Sequence, residues 1–113
     1  MASLSTHILD TSIGLPAPNV RVTCCRKEGD QWLQIGEGTT DEDGRVKDLH
    51  GDQMMTPGSH YQLTFFTSPY FDARDLTTFY PEVNVQFVVG SDKSHYHVPL
   101  LLNPFGYSTY RGS

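Results

Sequence analysis

Basic charge, cysteine, long apolar runs and helical periodicity are all scarce in this sequence, and each shortage removes a class of function. Lys and Arg number 8 against 13 Asp and Glu, a formal charge of −5. That balance argues against a sequence-independent grip on nucleic acid, which needs clustered cations, and it disfavours acidic membrane surfaces. No stretch approaches the roughly 20 apolar residues that span a bilayer, and the N-terminus shows no basic region followed by an apolar run. A soluble, unexported chain is expected. The only cysteines, Cys24 and Cys25, are adjacent in an apparent strand. Their side chains point to opposite faces, one to the core and one to the surface, and cannot form an ordinary disulfide with each other. A reducing compartment fits. No C-terminal Ser-Lys-Leu is present, so the cytoplasm is favoured, with a peroxisomal address left open for a trimmed targeting segment. Gly-x-Ser-x-Gly, P-loop and dinucleotide-binding glycine patterns are absent too, which lowers the weight of covalent serine catalysis and nucleotide binding.

What remains is 113 residues, the size of one domain spanning 1–113, written mostly as short β-segments divided by turn residues. Residues 4–9 form a first strand, ended by the turn chemistry of Asp10 to Pro16. Residues 20–26 alternate, with Val20, Val22 and Cys24 on one face and Arg21, Thr23 and Cys25 on the other. Residues 32–39 form a third strand, in which Gly36 and Gly38 permit a bulge or close backbone approach. Asp43-Gly44 is a hairpin-type dipeptide and puts Arg45 at a strand mouth. Residues 51–59 read as a loop. Residues 60–66 follow as a strand, with Tyr61, Leu63 and Phe65 on one face and Phe66 on the other. Ser68-Pro69 reads as an N-cap and first helical position for a helix of about two turns over residues 70–76. Strands over residues 83–89, 94–102 and 107–111 complete a set of about eight, hence an all-β sandwich of two sheets with one short helix.

Several side chains offer chemistry. His95 and His97, two apart in a strand, share a face and suit either two metal ligands or a base and its partner. Zinc needs a third and usually a fourth ligand, and no further Cys or His pair announces itself, so no metal is assigned. Pro99 shares that face and lacks an N–H for the ladder, which points to a bulge, an edge or a cavity. His7, in the first strand, reads on its own as a hydrogen-bonded structural histidine before a catalytic one. Asp41, Asp43 and Gly44 overlap part of a calcium loop, but the remaining ligands are missing and a turn is the better reading.

Three separated segments then point the same way. The first is Leu4-Ser5-Thr6-His7-Ile8-Leu9-Asp10 with Gly14 and Pro16-Ala17, and the second is the turn Thr40 to Arg45. The third runs from His95 to Ser113 (HYHVPLLLNPFGYSTYRGS). With Tyr70 to Arg74 and Thr78 to Glu82, these segments resemble the 5-hydroxyisourate hydrolases over nearly the whole chain. That family shares its fold with transthyretin, so the resemblance implies a transthyretin-like sandwich. It also implies hydrolysis of 5-hydroxyisourate in urate breakdown, without cofactor or metal.

His7, Arg45 and His97 match the family's His-Arg-His set, and Tyr110-Arg111-Gly112-Ser113 matches its terminal run. Of these, either histidine could be the water-activating base; the role is given to His7, with His97 as the second acid/base group or the residue that orients the water and Arg45 as the oxyanion partner, while Tyr110 contacts substrate or walls the pocket and Ser113 contacts substrate. Arg111 and Gly112 shape the tail. A homotetramer, built as a dimer of dimers with the sites at the dimer–dimer interface, is implied as well. The alternative implied by the shared fold is a carrier of thyroid hormone or another small aromatic ligand.

Overall fold

The computed structural model describes residues 3–91 and 95–112. Nine strands and one helix are present among them: β1 (Ser3–Asp10), β2 (Leu15–Pro16), β3 (Arg21–Glu28), β4 (Gln31–Thr39), β5 (Arg45–Val46), β6 (His60–Phe66), α1 (Ser68–Ala73), β7 (Val83–Val88), β8 (His95–Asn103) and β9 (Gly106–Thr109). They form two sheets. One has the order β2-β1-β8-β9 with β5 also paired to β1, and the other the order β4-β3-β6-β7.

The sheets face each other because period-2 alternation gives each strand one apolar side. In β1 the even-numbered residues are buried and the odd-numbered ones partly exposed. Leu4, Ile8, Val22, Leu63, Phe65 and Leu100 are fully buried between the sheets. Tyr61 joins Leu63 and Phe65 on the inner face, and Phe66 points outward, as their spacing predicts. Cys24 is buried and Cys25 partly exposed. Burial, and to a lesser extent the neighbouring Cys25 thiolate, pushes the Cys24 thiol up to about 12, so it behaves as a small apolar side chain.

The expected sandwich is present, with local corrections. The ninth strand is the two-residue β2, inside the segment read as a turn. Its residues are too few for an alternation signal but pair with Leu9 and Asp10. The helix begins one residue earlier and ends sooner than its pattern suggested. Thr67, not Ser68, is the N-cap, Pro69 lies in the first turn, and Arg74 closes the helix. Asp75 then adopts a left-handed φ of 60°, which stops propagation. The bulge expected in the third strand does occur: the register between β3 and β4 shifts at Cys24/Cys25, opposite Gly36 and Gln34. Gly36 is also a point of close approach, since a Cβ there would lie 2.0 Å from the Leu49 carbonyl oxygen.

Asp43-Gly44 does not close a two-residue hairpin. Its turn carries the chain from β4 in one sheet to β5 in the other, where Arg45 and Val46 pair with His7 and Thr6. The fully buried Asp10 carboxylate fixes the end of β1 to the helix. It accepts the Tyr70 hydroxyl at 2.7 Å, the Ser12 backbone N–H at 3.0 Å and the Arg74 guanidinium. Burial, then the bond to Asp10, raises the Tyr70 phenol to about 12, so Tyr70 remains a donor. No helix among the described residues is long and apolar enough to cross a membrane.

Candidate functional site

The odd-numbered residues of β1 and β8 point away from the core and build one outer face of the five-stranded sheet. These two strands run parallel, with Ser3 opposite His95, Ser5 opposite His97 and His7 opposite Pro99. On its other side β1 pairs with β5, which puts Arg45 opposite His7. His7 therefore has Arg45 on one flank and Pro99 on the other, with His97 on the diagonal. Three residues separated by up to 90 positions in sequence are thereby brought to one face, as the His-Arg-His set requires.

Arg45 owes its place to the turn before it. The Asp41 carboxylate accepts the backbone N–H groups of Asp43 at 2.9 Å and Arg45 at 3.0 Å, an Asx-type closure of the loop. These two bonds, with the nearby Arg45 and Lys47 charges, hold the Asp41 carboxyl below its ordinary value. Gly44 takes a φ of 74°, and its carbonyl accepts the Ile8 N–H at 2.8 Å. A Cβ at Gly44 would lie 2.5 Å from the Ile8 carbonyl oxygen, so only glycine lets β5 come this close to β1.

His97 is held from both sides. Its Nδ1 lies 2.8 Å from the Ser5 hydroxyl, which leaves Nε2 as the free ring nitrogen. Its carbonyl accepts the Gly112 N–H at 2.8 Å. Burial and then the charges of Arg45, His95 and His7 lower its pKa. The neutral imidazole is thus favoured at neutral pH, where it can accept a proton. His95 stacks beside it, with ring centroids 6.4 Å apart, and its two nitrogens meet the Ser3 and Ser5 hydroxyls.

Pro99 interrupts the ladder as its missing N–H predicts. The β8–β9 register runs from Asn103↔Gly106 to Leu100↔Thr109 and stops. It resumes only as an isolated bridge between His97 and Gly112. Tyr110 and Arg111 lie in this gap and leave the expected strand, which ends at Thr109. Tyr110 is exposed, and together with His97, Tyr96 and Arg111 it lines a cleft of ≈ 430 Å³ at the sandwich edge. Arg111 caps the Tyr96 ring at 4.6 Å. Ser113, the second expected substrate contact, lies outside the described residues.

Sequence reasoning missed Ser5, the pairing of His95 with it, and Asp41 as the residue that seats Arg45. A signal for Ser5 existed, since Ser3, Ser5 and His7 alternate onto one face. Their neighbours on β8 were not readable from the local pattern. No group of three or more His, Cys, Asp or Glu is placed to hold a metal ion among the described residues.

The fold and this face together define a transthyretin-like β-sandwich whose outer sheet carries two histidines and an arginine equipped for acid–base chemistry. The chain belongs to the HIUase/Transthyretin family, which matches it over residues 4–112. It is 48% identical over 110 residues to the 5-hydroxyisourate hydrolase of Salmonella dublin, covering 97% of this chain and 80% of that protein. The solved structure of Klebsiella pneumoniae 5-hydroxyisourate hydrolase superposes with a TM-score of 0.85 at 36% identity, covering 100% of both chains. Sea bream transthyretin in complex with thyroxine superposes equally well, with a TM-score of 0.88 at 33% identity over 96% of this chain and 93% of that one. Backbone similarity therefore does not separate a hydrolase from a carrier, and the side chains of the outer face must do so.

Proposed function

We propose that this protein hydrolyses 5-hydroxyisourate, opening its six-membered ring to give 2-oxo-4-hydroxy-4-carboxy-5-ureidoimidazoline. The observation that carries the reading is the convergence of His7, Arg45 and His97 from three strands on one sheet face. Relatives that bear the hydrolase name at 41–48% identity across nearly the whole chain support it. A face of ionisable groups also suits a large apolar ligand poorly, because such a ligand would strip water from them without replacing their hydrogen bonds.

The reaction needs a base for water, positive charge for the oxyanion and an acid for the departing ring nitrogen. His7 takes the proton of the attacking water. Arg45, always charged, receives the negative charge that develops on the carbonyl oxygen, and its charge, after burial, also helps keep the His97 imidazole neutral. His97 delivers a proton from Nε2 to the leaving nitrogen. Tyr110 walls the substrate at the cleft, and Ser113 adds a hydroxyl contact.

The enzyme works as a dimer of dimers in which two such faces meet. Supporting this are the edge positions of β7 and β9 in their sheets and the exposed Ile13, Leu15 and Val88, apolar surface that a partner would cover.

The test is the ultraviolet absorbance decay of freshly generated 5-hydroxyisourate. The wild type should outpace spontaneous decay. His7→Ala and His97→Ala should each lose about 100- to 10,000-fold in rate while still folding. Decay no faster than buffer, together with tight binding of thyroxine, would instead identify a carrier.

A further inference from the structure

Ser5 sits between two imidazoles. Its hydroxyl oxygen lies 2.7 Å from His95 Nε2 and 2.8 Å from His97 Nδ1, while His95 Nδ1 meets the Ser3 hydroxyl. The parallel register makes this unbroken: Ser3 faces His95 and Ser5 faces His97, and odd-numbered residues on both strands share the outer face. A hydroxyl has one proton and two lone pairs, and a neutral imidazole has one N–H and one acceptor nitrogen. Two arrangements of these four groups run every hydrogen bond in a single direction along the row. In one, every proton points toward His97, and His97 carries its hydrogen on Nε2. In the other, every proton points away, and His97 carries it on Nδ1.

Resting on the hydrolase reading above, we propose that Ser3, His95 and Ser5 form a proton relay that lets His97 act as an acid without first becoming an imidazolium. In the acid step the Nε2–H bond of His97 breaks as the proton passes to the departing ring nitrogen. Ser5 simultaneously gives its hydroxyl proton to His97 Nδ1 and takes the Nε2 proton of His95. His95 Nδ1 takes the Ser3 proton, which water replaces. Each group ends with the number of protons it began with. The net change is one proton moved from solvent to the leaving nitrogen, matched by the proton that His7 takes from the nucleophilic water and returns to solvent.

The charges around His97 make such a route useful. Arg45 from β5, His7 from β1 and His95 from β8 all oppose a positive charge on its ring, and Arg111 and Tyr110 of the tail line the cleft that His97 borders on its other side. An acid that had to be charged would be scarce at neutral pH. A relayed neutral acid needs no such charge. Ser3, Ser5 and His95 act through His97 and are positioning residues.

The experiment compares Ser5→Ala, Ser5→Thr and His95→Phe with the wild type across pH, using the absorbance decay of 5-hydroxyisourate. Ser5→Ala and His95→Phe should each lower kcat by about 10- to 100-fold, a partial loss of general acid catalysis, with KM little changed. Their remaining activity should fall as pH rises through the His97 pKa, because only the charged ring still carries the extra proton. The wild type should show no such decline, and Ser5→Thr, which keeps the hydroxyl, should restore both rate and profile. Ser5→Ala with wild-type kcat and profile overturns the relay. So does equal impairment in Ser5→Ala and Ser5→Thr without a change of profile, which would mark a packing role. A wild type inactive on 5-hydroxyisourate overturns the hydrolase reading itself, a result distinct from either.

Discussion

Gly112 gives the most direct test of whether the tail serves the site by its position. Its N–H is bonded to the His97 carbonyl, and a Cβ there would lie 2.6 Å from His97 Cδ2 and 3.3 Å from its Cβ and Cγ. Carbon atoms settle near 3.5–4.0 Å, so Gly112→Ala forces an overlap of about 1 Å against the ring. The ring cannot swing away freely because Ser5 holds its Nδ1. Cδ2 is bonded to Nε2, so any shift that relieves the clash moves the nitrogen assigned to proton transfer. If the tail yields instead, the His97–Gly112 bridge opens and Tyr110 leaves the cleft. A misplacement of about 1 Å commonly costs about 100-fold in rate. The bridge is isolated, outside any longer ladder, so stability should change by less than about 1 kcal/mol. Thermal unfolding and 5-hydroxyisourate turnover on the same preparation measure both quantities. A folded Gly112→Ala protein with wild-type kcat would refute the assigned role of this contact.

Three further outcomes follow from the geometry. Asp10→Ala leaves the Tyr70 hydroxyl and the partly exposed Arg74 without their carboxylate, and should cost about 2–3 kcal/mol in urea unfolding. Gly44→Ala combines a left-handed φ with a backbone clash. It should destabilise by about 1–3 kcal/mol and lower turnover further by pulling Arg45 off His7, which kinetics on the folded fraction would detect. The depressed pKa of His97 links stability to pH. Above the ordinary imidazole value of 6.5 both folded and unfolded forms are neutral there, and no difference arises. As pH falls below that value the unfolded state binds the proton first, so stability declines until the folded pKa is passed. Unfolding midpoints between pH 7 and 5 should show this slope, and His97→Gln should reduce it.

Much of the architecture was legible locally. Alternation separated the two faces of β3 and β6 and put His95 and His97 on one face of β8, because a one-residue slip would bury the wrong set. The ladder break at Pro99 followed from a missing N–H. The two-residue β2 was not legible, because two residues carry no period. The crossover at Asp43-Gly44 was misread as a hairpin, since a turn's residues report its backbone angles but not which sheet receives the chain.

The sequence by itself determined a β-sandwich, the two faces of the strands over residues 20–26 and 60–66, and, through the match of its motifs, the three ionisable residues on which the proposed function rests. Tertiary structure alone decided that β1 lies parallel to β8 and against β5. That arrangement sets Ser5 opposite His97 and Arg45 opposite His7. The reason is physical: alternation is imposed by the geometry of one strand, whereas the choice of neighbour and register is spread over the packing of every strand. Residues as far apart as Ser5 and His97 become partners only when that packing is complete.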